Sequence, residues 1–256
     1  MNKCKNKFLA AFAILALFIL FQTQAYSQAI MLGVKGGISI PELKGGGTPQ
    51  SEGYSSRLAP NFGAFINYLL NTYFSLQAEV LFSGQGGKRN GMQAISNIPN
   101  LPVPPNTNLY ANFDNETILN YLEIPVMVKY LISGSNTGAS AYIDAGPYFG
   151  ILLNAKTQTS GNSKIYLDQA GTMPISFNGY PIPPQSFDNE TNITSDIKTL
   201  NVGITGGIGI TLNTTAGEFD IDLRGVYGFI PIQSDKTNGS NNTGALYLTI
   251  GYGFKI

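Results

Sequence analysis

Apolar and non-apolar residues alternate with period two in eight stretches of the chain, at about 30–40, 60–70, 73–85, 120–131, 141–153, 197–212, 218–229 and 245–256. A β-strand sends successive side chains to opposite faces, so each stretch predicts a strand with one greasy face and one polar or empty face. In the most regular of them Leu200, Val202, Ile204, Ile208, Ile210 and Leu212 share one parity, and Asn201, Gly203, Thr205, Gly207, Gly209 and Thr211 the other. Every stretch can cross a bilayer, since a tilted strand needs about 9–11 residues. The connections alternate between long, at about 41–59, 86–119, 154–196 and 230–244, and short, at 71–72, 132–140 and 213–217. Long loops at one end and tight turns at the other are the layout of bacterial outer-membrane barrels. The expected fold is therefore all-β: an eight-stranded antiparallel up-and-down transmembrane β-barrel with four long extracellular loops. An even strand count puts both chain ends on the periplasmic, short-turn side.

Depth along the strands is a second test. On the apolar parity Phe62, Phe82, Phe149, Tyr227 and Phe229 fall near the long-loop end, and Tyr68, Phe74, Tyr130, Phe219, Tyr252 and Phe254 near the short-turn end. Between them come Ala64, Ile66, Leu76, Ala78, Val80, Ile124, Val126, Val128 and Ile221. An aliphatic band between two aromatic girdles is what a bilayer selects. A soluble sandwich or lipocalin-like barrel, with its apolar face turned inward, has no reason to sort its aromatics in this way.

The opposite parity carries Lys35, Glu79, Glu123, Lys129, Asp144, Glu218, Asp220, Asp222, Arg224 and Lys255, which must then point into the lumen. Eight strands enclose only enough room for side chains to fill. An unpaired charge in that space is costly, so Lys35 and Arg224 are expected among Glu79, Glu123 and Asp222 as a polar plug. The rival is an ion-conducting path. Gly33, Gly37, Gly63, Gly203, Gly207, Gly209 and Gly251 share the inner face with Tyr121, Tyr142, Tyr148 and Tyr247, so large rings can lie over bare backbone. Pro125 and Pro147 cannot donate to a ladder and predict a bulge or a broken hydrogen bond in the fourth and fifth strands. The glycine-rich run 203–209 has neither the helix nor the lysine of a phosphate-cradling loop.

Before the first strand, Lys3, Lys5 and Lys7 precede an unbroken apolar run over 8–21, followed by Ala25-Tyr26-Ser27. The run is too short for a spanning helix, which takes about 17–25 residues, and reads as a secretory signal peptide at 1–27. Cleavage is expected after Ser27, with Ala25 as the competitor, leaving a barrel domain at 28–256. Cys4, the chain's one cysteine, would leave with the leader. The chain has no histidine, which removes the commonest general base and metal ligand. Formal charge is zero, so nothing favours nucleic acid, and no cofactor is implied.

Two of the long connections repeat one text. Pro102-Val103-Pro104-Pro105 is followed by Phe113-Asp114-Asn115-Glu116-Thr117, and Pro181-Ile182-Pro183-Pro184 by Phe187-Asp188-Asn189-Glu190-Thr191. The duplicate is either a cap or a surface site for a peptide, a glycan or a divalent cation. In the second case Phe113, Asp114, Glu116, Phe187, Asp188 and Glu190 are the candidate residues, with carboxylates that offer oxygen ligands in a spacing unlike an EF-hand.

The mature chain resembles the PorT-type outer-membrane β-barrel proteins. The resemblance rests on Gly33-Val34-Lys35-Gly36-Gly37, on Tyr73 through Ser83, on Tyr121-Leu122-Glu123-Ile124-Pro125 with Lys129-Tyr130, on Ala145-Gly146-Pro147-Tyr148 with Gly150, and on Gly251-Tyr252-Gly253-Phe254. It implies an outer-membrane location and, for the founding type, participation in protein secretion to the cell surface; it implies no catalytic residues. The expected function is thus non-enzymatic, with a secretion-system component or surface ligand as partner alongside outer-membrane lipid. Barrel-assembly machinery would read the last strand, where Ile256 replaces the usual terminal aromatic. A small solute pore is the alternative, and an outer-membrane hydrolase, built for instance on Asp114 with Asp188, comes third.

Overall fold

The computed structural model describes residues 30–95, 103–104, 107–132, 138–177 and 179–256. The expected leader with its cleavage positions, and Pro102 and Pro105 of the first proline segment, lie outside them. In chain order the strands are β1 (Ile30–Gly46), β2 (Ala59–Leu69), β3 (Phe74–Ile95), β4 (Leu109–Leu131), β5 (Gly138–Ser160), β6 (Asn162–Ser163), β7 (Ser176–Phe177), β8 (Tyr180–Pro181), β9 (Gln185–Ser186), β10 (Asn189–Asn192), β11 (Leu200–Asn213), β12 (Glu218–Gly228) and β13 (Ser240–Lys255). The eight long ones form a closed antiparallel ring, β1-β2-β3-β4-β5-β11-β12-β13 and back to β1. Closure pairs β1 with β13 from Met31↔Lys255 to Gly46↔Ser240. The short strands β6 to β10 fold the connection between β5 and β11 above the ring.

The two parities face as the pattern predicts. Val34 and Ile250 on the outside are 61% and 62% exposed, while Glu79 and Tyr148 on the inside are each 1% exposed. At the long-loop end Phe62 stacks on Phe82 at 5.1 Å and Tyr227 meets Phe229 edge-on at 6.1 Å. At the other end Phe74 packs on Tyr130 and Phe219 on Tyr252, each pair at 4.9 Å. Aromatic rings so placed form the two girdles expected at the interfaces of a bilayer. Lys255 departs from the expectation: it ends β13 at the rim and is exposed instead of lining the lumen.

Strands continue where the pattern expected loops. β3 runs on to Ile95, β4 begins at Leu109 and β5 extends to Ser160, so much of 86–119 and of 154–160 is sheet. These parts lie beyond the upper aromatic belt, where water replaces hydrocarbon. Lys88, Asn90, Asp114 and Glu116 occupy the outward parity there, and hydrophobic alternation vanishes although the strand does not.

The prolines interrupt the ladder without shifting it. The β3–β4 register passes from Ala78↔Val126 to Leu81↔Glu123, skipping the level of Pro125. The β4–β5 register passes from Pro125↔Tyr148 to Val128↔Ala145, skipping that of Pro147. The bulge sits higher, at Asn120/Tyr121, where β5 gains a residue on its way out of the membrane.

Inner-wall glycines seat the tyrosines. A Cβ on Gly209 would lie 2.2 Å from Cζ of Tyr142, and one on Gly203 would lie 2.5 Å from Cε1 of Tyr148. Gly209→Val should therefore lower stability by about 1–3 kcal/mol through overpacking. The drop would be read as a lower temperature of conversion from the folded to the unfolded gel band. Gly225→Ala, whose new methyl meets nothing closer than 3.8 Å, should leave that temperature unchanged.

Candidate functional site

Inward side chains stack in layers along the lumen. Nearest the short turns, Lys129 Nζ lies 3.4 Å from Asp220 Oδ1, 3.8 Å from Glu218 Oε1 and 3.8 Å above the Tyr142 ring. At mid-depth Lys35 Nζ donates to Asp222 Oδ2 at 2.8 Å and to Glu79 Oε1 at 3.1 Å. The Arg224 guanidinium reaches Glu79 at 2.9 Å, Asp144 at 2.8 Å and also Asp222. Two cations, from β1 and β12, thus hold three carboxylates from β3, β5 and β12, and none of the five is more than 8% exposed. Buried charge is tolerable in this form because each ion is both paired and hydrogen-bonded.

Four of the five residues expected in the plug therefore meet: Lys35, Glu79, Asp222 and Arg224. Glu123 does not join them. It lies opposite Leu81, two residues above Glu79 along β3, a rise of about 7 Å. There its Oε1 accepts from Gln85 Nε2 at 3.0 Å and its Oε2 from Tyr247 OH at 2.8 Å, and the Tyr247 hydroxyl lies 2.7 Å from Ser83 Oγ. Asp144 takes the third acidic place in the cluster; it was legible as an inward charge but not as an Arg224 partner.

Above the polar layers the lumen turns apolar. Leu43, Leu119, Tyr121, Leu152, Ala155, Ile197 and Ile232 form one buried cluster across its mouth. Leu109, Ile165 and Ile175 form another, packed by Ile95, Val103, Ile182 and Phe187. Sequence reasoning missed this cap. Its only trace is isolated aliphatic residues, such as Ile165, Ile175 and Ile232, in text otherwise rich in Asn, Ser and Gly.

The duplicated segments meet on β5. Asn115, Glu116 and Thr117 of β4 pair with Thr159, Gln158 and Thr157, and on the opposite edge Asn189, Glu190 and Thr191 of β10 pair with the same three residues. Phe113 and Phe187 stack at 4.7 Å with planes 10° apart. Between the two strands lies Gly161, at φ +132°, where a Cβ would stand 3.3 Å from Phe113 Cα. Val103 and Ile182, the residues between the prolines of each copy, both pack into the upper apolar cluster.

The carboxylates of the two copies find separate partners. Glu116 accepts from Arg57 Nε at 2.6 Å, and Glu190 from Gln158 Nε2 at 2.6 Å and Lys156 Nζ at 3.0 Å. Asp188 accepts from the Gly161 amide at 2.9 Å, while the Asp114 backbone sits in register between Asn90 of β3 and Ser160 of β5. Glu116 and Glu190 are kept on opposite sides of β5, and no group of three or more potential metal ligands gathers among the described residues. Asp114 is paired with Ser160 along the backbone and Asp188 accepts from the adjacent Gly161 amide, so the two flank the same end of β5.

Two outcomes follow from these contacts. Arg224→Met strands the buried Asp144 and leaves Glu79 and Asp222 to Lys35 alone, and should cost about 3–5 kcal/mol in chemical denaturation from micelles. At β10, the Gln158 hydrogen bond, and then Lys156, hold the Glu190 carboxyl below its ordinary value. A lowered folded-state value makes this contribution present above the ordinary glutamate range and lost as pH falls through the folded value. Protection factors of the amides at 155–161, taken relative to the intrinsic rate at each pH, should therefore fall on acidification in the wild type, and Glu190→Gln should flatten that dependence.

A family model described as outer membrane protein beta-barrel domain matches residues 22–234. A comparison with curated proteins finds no match. Among solved structures, Ail, the attachment invasion locus protein of Yersinia pestis, aligns at 15% identity and TM-score 0.38, over 89% of this chain and 99% of that one. The N-terminal β-barrel domain of Pseudomonas aeruginosa OprF aligns at 11% and 0.37, over 88% and 97%. The Escherichia coli outer membrane protease OmpT aligns at 11% and 0.43, over 92% and 100%. Likenesses this distant say nothing of activity. The family match carries further, because it covers most of the chain and agrees with a closed ring whose greasy side faces out: the chain belongs to the outer membrane protein beta-barrel domain family, and its place is the lipid of the bacterial outer membrane.

Proposed function

We propose that this protein is a non-enzymatic barrel with a closed lumen that acts through its loop end, turned to the cell surface, by binding a partner there. The observation that carries the reading is the ion cluster of Lys35, Glu79, Asp144, Asp222 and Arg224 at mid-lumen, lying beneath the apolar cap of Leu43, Leu119, Leu152, Ile197 and Ile232. Ions crossing such a lumen would have to break buried charge pairs and then enter an apolar layer, each step costing several kcal/mol. A solute pore is disfavoured on that ground. The absence of histidine, and the engagement of Glu116, Asp188 and Glu190 by neighbouring side chains and an amide, likewise support a non-catalytic role.

The PorT-type resemblance favours secretion to the cell surface as the setting in which such a loop platform would work. In this reading the chain ends face the periplasm, the leader at 1–27 is removed on export, and barrel-assembly machinery engages β13 through Leu246, Leu248, Ile250, Tyr252 and Phe254. Cross-linking in intact outer membranes should capture a secretion-system component.

Planar-bilayer recording on purified protein is the direct test of closure. The expected trace shows no sustained conductance, whereas a steady open-channel current would overturn the closed-lumen reading. Arg224→Met combined with Glu79→Leu, which removes part of the cluster but keeps the cap, should remain silent as well.

A further inference from the structure

We infer that the outer edge of β10 is a docking site for an extended basic peptide segment, which adds to it as an antiparallel strand. The inference rests on the proposed role of the loop end and names the chemistry of its partner.

The two copies of Phe-Asp-Asn-Glu-Thr have the same neighbour on one side and different surroundings on the other. Copy one, in β4, has β5 on one edge and β3 on the other, where Thr117, Glu116, Asn115 and Asp114 face Gly87, Lys88, Arg89 and Asn90. Copy two, in β10, takes β5 on one edge in a matching register. On its second edge no strand pairs with it among the described residues, and Asn189 to Asn192 are all exposed. Because β4 and β10 run in the same direction on opposite edges of β5, the open edge of copy two corresponds to the β5 edge of copy one. What the first copy shows is which side chains stand across from Glu and Asn of this text, namely Lys and Arg, and not the hydrogen-bonding frame of the open edge.

Backbone geometry agrees. The Phe187 amide donates to Gly161 O at 2.8 Å and the Ile193 amide to Ala155 O at 3.0 Å, so the odd-numbered residues of this segment bond inward to β5. Antiparallel strands alternate their bonding direction, which leaves the N–H and C=O of Glu190 and Asn192 directed to the outer edge. Strand edges of this kind take up extended peptides, main chain for affinity and side chains for selection. Selection here is electrostatic: Asp188 and Glu190 are exposed beside the edge, and among the described residues Lys156 is the one cation bonded to either of them. In the first copy Glu116 has both Arg57 as a salt-bridge partner and Lys88 across the strand pair. The incoming segment supplies what the second copy lacks.

The chain provides its own probe. A fluorescently labelled peptide with the sequence of residues 85–92, which contains Gly87-Lys88-Arg89-Asn90, is titrated with detergent-solubilised full-length protein and followed by anisotropy. Saturable binding is expected, weakened about tenfold or more by Glu190→Lys, and equally weakened when the peptide's Lys and Arg are replaced by Glu. Asn192→Pro removes one outward amide while sparing the odd-numbered bonds to β5, and should weaken binding to a similar degree. Heat-dependent gel mobility checks that both variants remain folded.

Absence of saturable binding to wild-type protein overturns the proposal. So does undiminished binding to Asn192→Pro, which would mean attraction by charge without strand addition, and so does equal binding of a shuffled peptide. Concentration-dependent dimerisation through this edge, seen by sedimentation and abolished by Asn192→Pro, would identify a second copy as the occupant and also overturn it. Silent bilayers with no peptide binding would remove the edge site and leave the closed barrel standing. Channel current with specific peptide binding would do the reverse.

Discussion

In hydrocarbon every backbone N–H and C=O must find a partner within the protein, and the structure follows from that requirement. A sheet can meet it only by closing, which here means joining β1 to β13 over sixteen paired positions. Closure at eight strands leaves an interior the width of side chains, and the alternation that sends Leu, Ile and Phe to the lipid sends the remaining residues inward. Charges placed there cannot be solvated by bulk water. They are offset by one another, as Lys35 and Arg224 are by Glu79, Asp144 and Asp222. The filled lumen is thus a consequence of ring size as much as of the residues lining it.

Narrowness also explains the pairing of glycine with tyrosine. Tyr142 and Tyr148 are too large to stand beside branched neighbours on a strongly curved inner wall, and each ring lies against a cross-strand glycine, Gly209 and Gly203. The phenolic rings then bring hydroxyls into a space that also holds Thr243 and Asn201, so that size and polarity are supplied by one residue type.

Above the bilayer the constraint relaxes and the chain is used differently. β3, β4 and β5 continue as sheet into water, where backbone bonding is optional and the outward parity is free to be polar. The duplicated segments exploit this extension: one is part of a barrel strand and the other returns from a loop to flank the same three residues of β5. Their phenylalanines meet over Gly161, and their proline-flanked Val103 and Ile182 enter one apolar cluster. What reads as a repeated loop motif is, in space, a clasp that ties the cap to the barrel.

Period two, the sorting of aromatics by depth and the confinement of charge to one parity are local properties of consecutive residues, and they were enough to determine the eight strands, their facing and the membrane setting. The lumen site was half legible in the same way, because parity identifies which charges point inward but not which of them meet. That Glu123 sits a layer above Glu79 and that Asp144 reaches Arg224 depend on the register between strands far apart in the chain. The cap was not legible at all, since Leu43, Leu119, Ile197 and Ile232 carry no periodicity beyond the membrane and become neighbours only when the ring brings their strand ends together. Local alternation is written in the order of residues, whereas cross-lumen contacts are a property of closure.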